Sequence, residues 1–137
     1  MIGLDTNVLA RYYVADESDA EAARQHQAAA RLVDAGEPLL VAKTVVLEFE
    51  FVMRGYYELP AKDILKVLRH LLSLPHVTVE DRETVALALS HCAAGLDFAD
   101  ALHHASYREC DSMASFDDRR FARRAAKIGL KPRVTVP

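Results

Sequence analysis

Short apolar runs alternate along this chain with longer segments whose apolar residues recur at helical spacing. Residues 1–4 form the first run, suited to a strand buried on both faces. Asp5, Thr6 and Asn7 follow, each a good helix cap or turn residue, ahead of a short helix over 8–14. Residues 18–35 are rich in Ala, Glu, Arg and Gln, which favour helix. Ser18 with Glu21 three residues later is a capping-box pattern, and Gly36 is a natural stop. Residues 38–42 (PLLVA) read as a second strand. Thr44 is placed to cap a helix running to about Arg54, with Gly55 ending it. After Pro60, residues 61–74 carry Ile64, Leu65, Val67, Leu68, Leu71 and Leu72 at a helical period. Residues 77–79 give a third strand, 82–94 a helix closed by Gly95, and 98–110 another with Asp97 as its cap. A fourth strand over 112–116 precedes a helix that starts at Asp117 or Asp118 and runs through Ala126, with Gly129 closing it. Residues 133–136 are a last short strand. Strands alternating with helices predict an α/β fold with a parallel sheet covered on both faces.

That fold locates candidate chemistry. In parallel α/β sheets ligands bind at the carboxyl ends of the strands. Asp5 comes directly after the first strand, Glu48 lies in the helix after the second, Asp97 and Asp100 open a later helix, and Asp117 follows the fourth strand. Taken singly, Asp5, Asp97 and Asp117 also suit helix N-caps, where an acid contributes roughly 0.5–2 kcal/mol. Glu48 sits in VVLEFEFVM, a nearly continuous apolar run, and an acid on a buried helix face needs a partner or a metal. Glu50 competes for that role, because residues two apart diverge on a helix. Asp97 and Asp100, three apart, adjoin on one face. Gathered carboxylates either take up protons or bind cations, and hard oxygen ligands without Cys suit Mg²⁺ or Mn²⁺. His103 and His104 lack any accompanying HExxH or paired Cys/His spacing, so they read as surface or packing residues rather than zinc ligands.

Composition changes this picture little. The chain has 137 residues, 51% hydrophobic and 27% charged, which fits one globular domain over 1–137 and leaves little room for a second. Its two cysteines, Cys92 and Cys110, are too few for a disulfide framework and read as buried thiols. No apolar run approaches the ~20 residues that span a membrane, and the start, MIGLD, has no signal-peptide pattern, so a cytoplasmic location is expected. The formal net charge of −3 gives no direct support for a nucleic-acid partner. The cations are local instead: Arg119, Arg120, Arg123, Arg124 and Lys127 follow Asp117. At α-helical spacing Arg120, Arg123, Arg124 and Lys127 share a face that either binds an RNA backbone or is simply solvated. Arg11, one turn past Asn7, is a second candidate for phosphate contact.

The segments LDTNVL, VVLEFEFVMRG, GLDFADALHHA and SMASFDDRRFARRAAKIG, in that order, resemble the PIN-domain nucleases, and more narrowly the VapC-like toxins of toxin–antitoxin pairs. The resemblance covers essentially the whole chain. It implies a three-layer α/β/α sandwich with a central parallel sheet of four to five short strands, and metal-dependent endonucleolytic cleavage of RNA. Position by position, it implies Asp5, Glu48, Asp100 and Asp117 as the acid set. Asp5, Asp100, Asp117 and the less constant Asp97 are then metal ligands, and Glu48 a ligand or a base. Thr6, Asn7 and Ser115 correspond to polar residues that orient the acids, Ser115 standing where the family more often has Thr. Asp118 is an alternative to Asp117, although the spacing from Ser115 favours Asp117. The implied partners are an RNA substrate, an antitoxin that fills the catalytic groove, and a second copy of the chain. Tyr12, Tyr13, Phe49, Phe51, Tyr56 and Tyr57 are available to such an interface or to the core.

Other classes fit less well. A haloacid-dehalogenase-like phosphatase needs an acid where Asn7 stands. A response-regulator receiver needs a Lys after its last strand, and RVTVP supplies none. A PIN nuclease that processes RNA without being a toxin, and a PIN-like module that binds without catalysis, remain alternatives.

Overall fold

A computed structural model of the chain describes residues 1–16 and 18–137. It is an α/β protein with parallel strands throughout. The chain divides into two compact units, Met1–Arg82 and Glu83–Pro137.

The first unit contains β1 (Ile2–Gly3), α1 (Thr6–Tyr13), α2 (Ala20–Asp34), β2 (Leu39–Val41), α3 (Lys43–Gly55), α4 (Ala61–Ser73) and β3 (Val77–Val79). The strands pair in the order β1-β2-β3, with Ile2 opposite Leu39 and Leu39 opposite Val77. All three therefore end at one edge of the sheet, and α1 and α3 start from that edge. Side chains alternate across the strands: Leu39 and Val41 are fully buried, whereas Leu40 between them is 37% exposed. The expectation that the first strand is buried on both faces fails at Ile2, which is half exposed on one of the two outer strands. Leu9, Val46, Phe49, Met53 and Leu68 are buried along the helices that pack on one another, α1 against α2 and α3, and α3 against α4.

Two helix starts differ from expectation. α2 begins at Ala20 because Asp19, not Ser18, caps it by accepting from the Glu21 amide at 3.1 Å, while the Ser18 hydroxyl turns back to Asp16. α3 begins at Lys43, and Thr44 is not its cap. The Lys43 amide donates instead to Glu80 Oε1 at 2.8 Å, and Lys43 Nζ pairs with Asp81 at 2.9 Å. Two acids just after β3 thus serve the start of α3, where the helix dipole favours negative charge.

The second unit contains α5 (Arg82–Ala93), α6 (Phe98–Ser106), β4 (Ser112–Ala114), α7 (Arg123–Lys127) and β5 (Arg133–Thr135). The fourth and fifth strands expected from the sequence are present and parallel, Ser112 opposite Arg133, in a ladder of their own. α6 stops at Ser106, short of the expected Cys110, so Cys110 lies in the following turn and is exposed. Cys92 in α5 is half-buried, and the expectation of two buried thiols holds for neither. The helix expected from Asp117 or Asp118 opens as a π-helical turn over Asp118–Ala122, in which the Ala122 amide reaches back to the Asp117 carbonyl. The wider turn takes Arg120 out of α-helical spacing with Arg123, whereas Arg123, Arg124 and Lys127 keep that spacing in α7. His104 is fully buried and its Nε2 pairs with the Pro132 carbonyl at 2.7 Å, while His103 is exposed, in line with packing and surface histidines. No helix among the described residues is long and apolar enough to cross a membrane.

Candidate active site

In the first unit, one cavity of about 430 Å³ is lined by Asp5, Thr6, Asn7, Arg11 and Glu48, together with Gln25, Tyr56 and Tyr57. The fold explains the meeting. Asp5 leaves the carboxyl end of β1 and caps α1, its Oδ1 accepting the Thr6 amide at 2.8 Å. Its other oxygen makes no hydrogen bond among the described residues. Glu48 stands in the second turn of α3, which starts from the neighbouring β2. α1 packs on α3 and turns the two acids toward common space.

Of the two acids in the apolar run of α3, the one that needs a partner is Glu50, not Glu48. Glu50 is the buried one, at 4% exposure, and Arg54 one turn on pairs with it at 2.9 Å. Glu48 is exposed to the cavity rather than buried in the helix packing. Its candidacy rests on sharing that space with Asp5.

Thr6 supplies a further observation. Its side chain is buried, at 6% exposure, yet its hydroxyl has no hydrogen-bond partner in the structure. Buried polar atoms in folded proteins are nearly always satisfied, by protein, water or ligand. The hydroxyl oxygen is sealed from solvent, so the donors this cavity offers a hydrated cation are the two carboxylates, hard oxygens that suit Mg²⁺ or Mn²⁺.

In the second unit, Asp97 caps α6 by accepting the Ala99 amide at 3.0 Å. Asp117 caps the π-helical turn by accepting the Arg120 amide at 2.9 Å, and Ser115 accepts the Asp117 amide at 3.1 Å. The capping role expected of Asp5, Asp97 and Asp117 is therefore real in all three, and occupies one oxygen of each. Asp100 differs. It caps nothing and is half-buried. Burial first, and then the carboxylates of Asp97 and Asp117, push its pKa up, against the opposing pull of His103 and Arg124. A carboxyl held above its ordinary range by its surroundings and like charges is one whose ionised form gains from a cation. Asp118 pairs with Arg123 at 2.8 Å, which engages one arginine of the basic run. Among the described residues, no three His, Cys, Asp or Glu side chains stand together as a ready-made metal cage.

Gln25, Tyr56 and Tyr57 were not named from the sequence as part of this cavity. Gln25 belongs to α2, where the sequence marked glutamine only as a helix former. The tyrosine pair after Gly55 was visible, but only as interface or core material.

A parallel α/β scaffold with acids at the carboxyl ends of its strands describes a broad class of metal-assisted enzymes. The chain belongs to the PIN domain family, whose sequence model matches residues 2–127. PIN domains are generally nucleases, typically dependent on divalent metal ions. No curated protein matches the chain significantly.

Proposed function

We propose that the chain is a metal-dependent endoribonuclease and the toxin of a toxin–antitoxin pair, with Asp5, Glu48, Asp100 and Asp117 as its acid set and Mg²⁺ or Mn²⁺ as its metal. The observation that carries this reading is the cavity lined by both Asp5 and Glu48, where one Asp5 carboxylate oxygen makes no hydrogen bond among the described residues. The family match runs through both compact units and supports reading 1–137 as one domain.

Asp5, Asp100 and Asp117 would hold the metal, with Asp97 as a further ligand, and Glu48 would take the proton of the attacking water. A bound divalent ion lowers the pKa of its water and polarises the phosphoryl group. The capping bonds at Asp5 and Asp117 each engage one carboxylate oxygen, so the other remains as a donor for a metal. Thr6 and Asn7 line the cavity beside Asp5, and Ser115 steadies the backbone of Asp117. Arg11, Arg120, Arg123 and Arg124 are the cations for the RNA backbone. An antitoxin segment that covers the acids would silence the enzyme, and Phe51, 62% exposed, is available to a second copy.

The test is cleavage of single-stranded RNA by the purified chain with Mg²⁺ or Mn²⁺, beside Asp5→Asn and Asp100→Asn. Activity should vanish in chelator and in both variants. Metal should also raise the thermal stability of the unmodified chain alone, as any ligand of the folded state does. Equal cleavage with and without excess chelator overturns the metal dependence, and no cleavage under any metal condition overturns the nuclease reading. Induced expression that leaves growth unaffected removes the toxin assignment and leaves an RNA-processing nuclease.

A further inference from the structure

The cavity that holds Asp5 and Glu48 has a second end whose chemistry is different. Tyr56 and Tyr57 line it, their rings edge to face at 4.8 Å and 83°. Tyr56 is 78% exposed, among the most exposed large side chains of the protein. It is not loosely held. The amides of Tyr56 and Tyr57 both donate to the Val52 carbonyl, at 2.9 and 3.1 Å, and the Leu59 amide donates to Met53, so the turn after α3 is tied back onto the helix. Arg11 lies on the same wall. Its Nε donates to Gln25 Oε1 at 2.8 Å, Gln25 in turn donates to Glu21, and an Arg11 Nη reaches the Tyr57 hydroxyl at 3.5 Å.

We infer that this end of the cavity is a subsite for one unpaired RNA base, stacked on the ring of Tyr56, with Arg11 meeting the phosphate beside it. The inference rests on the proposal that the substrate is RNA, and adds which nucleotide conformation is read and by what. Three observations carry it. An exposed aromatic ring fixed at its backbone is a stacking platform that loses little freedom on binding. A guanidinium already oriented by Gln25 and Tyr57 needs little further ordering to meet a phosphate. The net charge of −3 gives little general attraction to RNA, so a contact with the uncharged face of a base supplies affinity that phosphate contacts do not. A duplex keeps its base faces inside its own stack and offers none to Tyr56, so the subsite selects single strands. The competing use of Tyr56, contact with a second copy of the chain, fits the surroundings less well. Asp5, Glu48 and Arg11 share its cavity, and charged residues are depleted at the centres of protein interfaces.

A single-stranded oligoribonucleotide carrying 2-aminopurine tests this, bound in Ca²⁺ with its intactness checked. Binding to the unmodified chain should quench the 2-aminopurine fluorescence. Tyr56→Ala should abolish the quenching and weaken binding roughly fivefold to 150-fold, the range for losing one stacked base. Tyr56→Phe and Tyr56→Trp should keep both, and the same sequence in a duplex should not distinguish the chain from Tyr56→Ala. Quenching and affinity unchanged in Tyr56→Ala overturn the subsite. A dimer that Tyr56→Ala splits into monomers, with RNA binding unaltered, overturns it and gives the ring to a second copy. The two proposals fail separately. Tyr56-dependent binding by a chain that never cleaves RNA defeats the nuclease reading alone. Metal-dependent cleavage with the same KM in Tyr56→Ala defeats the subsite alone.

Discussion

The two glutamates of α3 should respond to substitution in opposite ways, and the ion pair of Glu50 is where the magnitude can be worked out. The side chain of Glu50 is 5% exposed, and that of Arg54, 2.9 Å away, is 49% exposed. Arg54→Met keeps much of the aliphatic stem, including packing near the Phe51 ring, but strips Glu50 of its guanidinium. Removing one partner from a fully buried pair costs about 3–5 kcal/mol, chiefly because the remaining charge stays buried alone. Here half of the arginine already reaches water, which scales the expected loss to about 2–3 kcal/mol. At about 3–4 °C per kcal/mol for a chain of this length, the melting temperature should fall by about 6–12 °C. Thermal unfolding followed by circular dichroism at neutral pH measures this. Glu50→Met combined with Arg54→Met should recover most of the loss, because an apolar pair needs no desolvated charge. Glu48→Gln, in the exposed position, should leave stability within about 0.5 kcal/mol and remove metal-dependent RNA cleavage. A fall of under about 2 °C in Arg54→Met, or a large fall in Glu48→Gln, would refute the assignment of burial to Glu50 and of the cavity to Glu48.

Asp100, whose folded-state pKa is raised, binds its proton more readily when folded, so its contribution to stability is present at acid pH and is lost as pH rises through that raised value. Asp100→Asn should therefore be slightly more stable than the unmodified chain at pH 7 without metal, by less than about 1 kcal/mol after solvent screening. The difference should disappear near pH 3, and Mg²⁺ should stabilise only the unmodified chain; urea titrations at the two pH values check the sign. Asp19→Ala should destabilise by about 1 kcal/mol through loss of the α2 cap, whereas Ser18→Ala should have no measurable effect, and equal losses in the two would restore the capping-box reading.

The order and kind of the elements were legible because they are encoded locally. The apolar runs of Leu39–Val41 and Val77–Val79 and the helical spacing of Ile64, Leu68 and Leu71 each declare their element within a dozen residues. Asp5, Asp97 and Asp117 were legible for the same reason, since an acid before a helical segment can only be read as a cap or a ligand, and all three do cap. The family resemblance named the acids and the polar Thr6, Asn7 and Ser115 beside them, but not Gln25, Tyr56 or Tyr57. What the linear pattern could not resolve was every choice made by a residue far along the chain. VVLEFEFVM is apolar in all directions, so only the packing of α1 and α4 on α3 decides that Glu50 is the buried glutamate and Glu48 the one at the cavity. Glu80 displaces Thr44 as the support of the α3 start from 37 residues away. Gln25 and the two tyrosines reach the wall beside Asp5 because α1 packs against both α2 and α3. Helix periodicity and capping are interactions within a turn or two, so sequence alone determines them. Which face is dry, and which side chains share a cavity, depends on contacts that exist only once the chain has folded.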